Sequence, residues 1–211
     1  MCSVIACALI PRLTLVAALG NRREMLGRPV ALAPEPGGVQ VIGEPSGAAE
    51  AFGVRAGMRL SEALARCPAL ILAPPDPGRA EAAWETTLRR LEGIGAAVEP
   101  GYPGEAFFAV EGLLGLYGGR AERVLTRARK VLGPPSRLGA GPSRLCAYAA
   151  ASRSRPRRPP PTVTADTAGA LLAGLPVRVL RHRLTGQWER RTGNPATPGV
   201  VDEEVASIDA L

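Results

Sequence analysis

A chain of 211 residues can bury one sizeable core or two to three small subdomains, and 46% hydrophobic residues exclude a disordered polymer. Its formal charge of +7 points to an acidic partner, whether nucleic acid, anionic membrane or acidic protein. All of the 26 basic residues except Lys130 are arginine, so the same charge also reads as a GC-rich coding bias. Four cysteines (Cys2, Cys7, Cys67 and Cys146) without a CxxC spacing, and a single histidine, His182, argue against a zinc ribbon, a redox motif or a metal site of mixed Cys and His ligands. Scattered cysteines fit a reducing cytosol. No stretch approaches the ~18 apolar residues of a membrane span. The opening "VIAC" has no preceding Lys or Arg and too short an apolar run for a signal peptide. The chain is therefore read as cytoplasmic, with no membrane partner.

In chain order, Val4–Ile10 is a short apolar run ended by Pro11, the signature of a strand buried on both faces. Leu13–Leu19 predicts a short helix stopping near Gly20 and Asn21. Gly27–Leu32 reads as a turn and strand, and Gly37–Glu44 as a second strand forming a hairpin with it. Ser46 precedes an Ala-rich helix through Phe52, with Gly53 as its stop. Ser61 and Glu62 suit the start of a helix that Pro68 ends. "APPDPG" (73–78) is a rigid break, after which Arg79–Ile94 has helical period with Ala83, Leu88 and Leu91 inward. "GAAVEPGYPGEAFFAVEG" (95–112) predicts two strands around a Pro/Gly turn. A basic helix over Gly119–Val131, a short strand and an Ala-rich helix over Ser143–Ser152 follow. "RSRPRRPPP" (153–161) is a proline-rich basic linker. Asp166–Leu172 predicts a helix, Leu175–Leu180 begins another, Gly193–Gly199 carries no clear signal, and Asp202–Leu211 suits a last helix. Strands drawn from distant parts of the chain, interleaved with helices, predict an α+β layer with a helical insertion and a helical tail.

The strings "GRPVAL", "AFGVRAGMRLSEALARCPAL", "VEPGYPGEAFFAVEGL", "RLGAGPSRLCAYAAASRSRP" and "LLAGLPVRVL", in that order, resemble the Y-family DNA polymerases of the DinB/UmuC type. The best match is their catalytically degenerate, ImuB-like branch, and it extends from about Val4 to about Leu180. The resemblance implies a ferredoxin-like palm (1–10 and 75–158), a small fingers-like insertion (11–74) and a partial helical thumb (159–211), with no residues left for a little-finger domain. Two-metal phosphoryl transfer needs several hard oxygen ligands around Mg²⁺. The resemblance places the family's three carboxylates at Leu9, Gly104 and Glu105, so two are lost. No acid precedes Arg23 that could replace the first. Taken alone, Glu105 reads as a solvated acid at a hairpin turn. The triphosphate-binding Tyr and Arg of the fingers align with Gly47 and Glu50, the residue that excludes ribose with Thr14, and the basic residue before the palm's final proline with Arg155. A glutamate in place of that fingers arginine repels phosphate.

These expectations describe a pseudo-polymerase without catalytic residues, metal or cofactor, acting as a DNA-binding adaptor in DNA repair and translesion synthesis. Candidate phosphate contacts are Arg144, Arg153, Arg155, Arg157 and Arg158, with Arg181 and Arg183 standing where the family has a glycine turn; His182 reads as an ordinary surface residue. Such contacts give affinity without reading sequence. Arg153–Arg158 also reads as a solvated linker. The resemblance implies an error-prone replicative-type polymerase, a RecA-like accessory protein and the sliding clamp as partners. The competing readings are a protein-interaction scaffold, a truncated remnant, and an active polymerase using Glu99, Glu105 or Glu111.

Overall fold

A computed structural model of the chain describes residues 3–175. Its centre is a four-stranded antiparallel sheet in the order β4-β5-β1-β6, built from β1 (Ile5–Leu9), β4 (Val98–Pro100), β5 (Glu105–Ala109) and β6 (Arg137–Gly141). The apolar first strand lies between β5 and β6 and has an apolar cluster on each face, which explains why it lacks polar alternation. Period-2 alternation then sorts the sheet into two faces. Ala6, Ala8, Ala106, Phe108, Leu138 and Ala140 point to one side, where they meet α4 (Pro77–Glu92) and α6 (Ala121–Leu132) in the largest core cluster. Leu91, Val124, Leu125 and Ala128 are the buried helix residues of that cluster. Cys7 and Phe107 point to the other side and pack on Ala147 and Ala151 of α7 (Arg144–Arg153).

Small residues set the spacing on the α7 side. A β-carbon on Gly139 would collide with the backbone N of Ala151 and lie 2.6 Å from the carbonyl carbon of Ala150, and one on Gly141 would lie 2.7 Å from Cβ of Cys146. The alanine-rich sequence of α7 serves the same close approach, with Ala147, Ala149, Ala150 and Ala151 all buried.

Between β1 and α4 the chain makes a separate layer. Helix α1 (Leu13–Leu19) packs on a two-stranded parallel sheet of β2 (Val30–Leu32) and β3 (Ile71–Ala73), with α2 (Gly47–Ala51) and α3 (Leu60–Arg66) beside it. Two further apolar clusters fill it, one under α1 and one around Ile42, Ala49, Val54 and Ala63. The last described helix is α8 (Ala165–Ala173), opened by a reciprocal cap between Thr164 and Thr167.

Most expected elements are present within a residue or two. Three differ. No strand forms over Gly37–Glu44; the segment makes isolated bridges, yet Leu32 N–H donates to Glu44 O (3.1 Å), Gly43 N–H to Leu32 O (3.0 Å) and Ser46 N–H to Val30 O (2.7 Å), so its end does pair antiparallel with β2. Ser61 does not cap α3; Arg59 is the N-cap and Ser61 lies in the first turn. Helix α4 begins at Pro77 rather than Arg79, because Asp76 Oδ1 accepts the Arg79 N–H at 2.9 Å and proline tolerates the first turn. The expected break at 73–78 is thus partly a helix start.

Candidate functional site

Leu9, Gly104 and Glu105, the positions that the resemblance aligns with the family's carboxylates, lie together at one end of the central sheet. Leu9 pairs across the sheet with Glu105 on one side and with Arg137 on the other. Cross-strand partners share a face, so Leu9 is flanked by a carboxylate and a guanidinium on the α7 side. Glu105 is only 4% exposed. That corrects the expectation of a solvated acid: Glu105 opens β5 beside Leu9 of β1, and its side chain lies against Gly101 of the turn, where a β-carbon would stand 3.2 Å from Glu105 Cγ.

Gly104 precedes it with φ +87°, in the left-handed region. Its carbonyl accepts a hydrogen bond from Ile10 N–H at 2.7 Å, and a β-carbon there would lie 2.7 Å from Ile10 O. The backbone at this position is therefore built for glycine. With an aliphatic residue at 9, a side-chain-free position at 104 and a guanidinium across the sheet, the donor set does not fit a divalent cation that requires several oxygen ligands. Among the described residues, no group of three or more His, Cys, Asp or Glu is arranged to hold a metal ion.

The neighbouring layer places the positions aligned with triphosphate contacts. Arg12, in the left-handed conformation at φ 56°, donates through Nε to Pro45 O at 2.8 Å and pairs through Nη2 with Glu50 Oε2 at 2.6 Å. A β-carbon on Gly47 would sit 3.8 Å from that same Nη2. The Glu50 carboxylate is thus held by a residue of the chain itself, and Arg12 lies beside Gly47. Thr14 donates its hydroxyl to Glu44, whose Oε2 also accepts Leu15 N–H at 3.1 Å, so Thr14 belongs to the capping of α1.

The candidate phosphate contacts divide into two groups. Arg144 reaches from the start of α7 across the sheet: its guanidinium stands 5.5 Å from the centre of the Phe107 ring and pairs with Glu99 on β4. Glu99, Phe107, Cys7 and Gly139 form one cross-strand row, so Arg144 covers that row and its charge is shared with a carboxylate. Arg153 donates through Nη2 to Gly174 O at 2.5 Å, tying the end of α7 to the end of α8. Arg155, Arg157 and Arg158 are exposed on the following segment.

That segment is anchored at both ends, which the composition of a proline-rich linker does not suggest. Arg129 of α6 donates to Arg158 O at 2.5 Å and to Ser154 Oγ at 2.6 Å. Further on, Ala140 N–H donates to Pro161 O and Val163 N–H to Ala140 O, so residues 161–163 pair along the free edge of β6. Arg129 is itself partly desolvated, and burial pulls its guanidinium below its ordinary pKa. Sequence reasoning missed Arg129, Arg12 and Arg137; as isolated arginines in an arginine-rich chain they carry no local signal. Arg181, His182 and Arg183, the expected helix from Leu175 onward and the expected last helix lie wholly or almost wholly outside the described residues.

Comparison with known proteins agrees with this architecture. The model of the impB/mucB/samB (IMS) family matches residues 14–152, well over half of the chain. A curated protein described as DNA polymerase IV, from Ralstonia nicotianae (strain ATCC BAA-1114 / GMI1000), is 28% identical over 164 residues, covering 74% of this chain and 44% of its own length. Among solved structures, a Y-family DNA polymerase chimera, Dbh-Dpo4(243-245)-Dbh, superposes with a TM-score of 0.65 at 16% identity, over 86% of this chain and 58% of the chimera. A Dbh ternary complex with partially disordered substrates gives a TM-score of 0.61 at 18% identity, over 78% of this chain and 48% of that one. The chain therefore spans about half the length of these relatives. Its mixed α/β fold is that of a Y-family palm with a fingers-like insertion. The chain belongs to the impB/mucB/samB family and is a Y-family DNA polymerase-like protein.

Proposed function

We propose that this chain is a non-catalytic, DNA-binding adaptor of the ImuB-like kind, acting in the cytoplasm in DNA repair and translesion synthesis. The observation that carries the reading is the backbone at Gly104, left-handed and pressed against Ile10 O, at the position where a metal-binding carboxylate would have to project. Leu9 and the Arg12–Glu50 pair support it from the first strand and from the fingers-like layer. Within this reading, residues 1–10 and 75–158 form the palm, 11–74 the fingers-like layer and 159–211 a partial thumb. The separate apolar clusters of the first two parts support that division.

DNA is engaged through its phosphates by Arg155, Arg157 and Arg158 on the anchored loop, with Arg153 and the undescribed Arg181 and Arg183 as further contacts. Arg144 contributes less, because Glu99 already balances its charge. An error-prone replicative-type polymerase, a RecA-like accessory protein and the sliding clamp are the partners of this role.

The test is fluorescence anisotropy with a labelled primer–template duplex across a salt series, with a parallel primer-extension assay. Expected are no extension and an affinity that falls linearly in log–log form with salt. Replacing Arg155, Arg157 and Arg158 with Gln should flatten that slope by about 0.9 for each phosphate no longer neutralised. Extension that Glu105→Ala abolishes would overturn the non-catalytic reading; no binding at low salt would favour the scaffold reading, which the Arg144–Glu99 pair also supports.

A further inference from the structure

On the α4/α6 side of the molecule, away from the face that carries Leu9, Glu105 and Arg137, α1, α4 and the loop after α6 enclose a cleft of about 610 Å³. It continues in both directions. At one end it shares Gly20, Asn21 and Arg79 with a second hollow that reaches Arg22; at the other it shares Gly133, Pro134 and Pro135 with a third that reaches Arg129 and Lys130. The three together form one trough, and its cationic lining is Arg22, Arg23, Arg79, Arg90, Arg129 and Lys130. No Asp or Glu is among the described residues that line it. Only Arg79 of the six has a carboxylate partner among the described residues, Asp76 at 3.4 Å.

The position of Arg79 is specified by the backbone. Its Nη1 lies over Gly20, where a β-carbon would stand 2.6 Å away. Gly20 has φ +57° and closes α1. The glycine that stops the helix thus also lets a cation from α4 cross to the mouth of the cleft.

The remaining lining is mixed: Ile10, Leu13, Val16, Leu132 and the two prolines are apolar, while Asn21, Thr86 and Thr87 offer polar groups. No aromatic ring is among the described residues lining the trough. Grooves for single-stranded nucleic acid combine cations with rings on which bases stack. Branched apolar side chains beside amide and hydroxyl groups, rimmed by arginine, instead match a peptide that alternates carboxylates with branched apolar side chains, its backbone within reach of Asn21, Thr86 and Thr87. We propose that this trough is a docking groove for an acidic, aliphatic peptide segment of a partner protein. The loop of Arg155, Arg157 and Arg158 borders one end of the trough through Pro156, and peptide docking there does not require that loop to bind DNA.

The probe is a fluorescein-labelled peptide repeating Glu-Leu-Asp-Leu, with the uncharged Gln-Leu-Asn-Leu peptide and an oligothymidylate of equal length as competitors, read by anisotropy. Expected is saturable binding of the acidic peptide, displaced by neither competitor. Arg23→Glu/Arg79→Glu/Arg90→Glu should weaken it by at least about tenfold, the sum of several modest exposed ion pairs. The milder Arg79→Gln/Arg90→Gln variant should weaken it in the same direction, so the question stays open to measurement if the triple reversal fails to fold. Replacing Arg155, Arg157 and Arg158, which border only the end of the trough at Pro156, with Gln should weaken peptide binding less than the Arg79→Gln/Arg90→Gln variant does. The proposal is overturned by absent peptide binding, by equal affinity in wild type and trough variants, or by oligothymidylate occupying the trough in the peptide's place. Duplex binding measured on the same variants separates this result from the adaptor reading: trough variants should retain it.

Discussion

Gly104 and Ile10 are locked to one another through their backbones: the Gly104 carbonyl accepts the Ile10 N–H at 2.7 Å, and the Ile10 carbonyl occupies the space that a Gly104 side chain would need. The pair joins the end of the first strand to the hairpin before β5, so it fixes the place where Leu9, Gly104 and Glu105 meet.

Gly104→Asp, the substitution that would restore one acid, is therefore expected to be destabilising. A non-glycine residue at φ +87° is strained whatever surrounds it, and here the β-carbon also meets a backbone oxygen that cannot rotate away. The combined cost should be about 2–4 kcal/mol, read from the midpoint of urea unfolding. Leu9→Asp/Gly104→Asp should gain no primer extension. Wild-type stability in Gly104→Asp would mean that this turn can open into a carboxylate-bearing form, and would reopen the catalytic reading.

Gly139→Ala tests the other close approach in the sheet. Alanine normally suits a strand better than glycine, so local propensity alone forecasts a small gain. The packing forecasts the opposite, because the new methyl would fall on the backbone of Ala150 and Ala151 and would have to lift α7 from β6. Overpacking of this kind costs about 1–3 kcal/mol and more where backbone must move. The measurement is thermal unfolding of the variant beside wild type, and a stabilised Gly139→Ala would show that α7 does not sit on the sheet as described.

The elements were legible in the sequence wherever a local rule decided them. The run Val4–Ile10, the helix after Ser46, and the Pro/Gly turn between β4 and β5 each carry their signal in a few neighbouring residues, whereas the cap expected at Ser61 falls at Arg59. Burial of Glu105 was not legible, since it depends on Leu9 of β1, nearly a hundred residues away in the chain, lying beside it. The parallel pairing of β2 with β3 was not legible either, whereas the expected pairing of β2 with the segment after Gly37 survives only at its end, around Gly43–Ser46. At the candidate site the residue types at positions 9, 104 and 105 are plain in the sequence, whereas Arg12 holding Glu50 and Arg144 held by Glu99 are pairings between distant charges in a chain where arginine is everywhere.

Arg129 offers a way to test whether the anchored shape of the basic loop matters, as opposed to its charge alone. Its guanidinium holds Ser154 Oγ and Arg158 O, bracketing Arg155 and Arg157, while its own Nε is buried without a partner. Arg129→Leu removes two charge-assisted bonds but also relieves that unsatisfied N–H. The net loss of stability should therefore be limited to about 1–2 kcal/mol. Duplex affinity at low salt should nonetheless fall about three- to tenfold, because a released loop must be ordered again before its arginines can meet phosphates. Arg129→Lys, which keeps the charge but cannot span both acceptors in one plane, should fall between wild type and Arg129→Leu. Anisotropy with the same primer–template duplex reads all three proteins. If Arg129→Leu binds as tightly as wild type, loop geometry is irrelevant and the arginines act only through their summed charge.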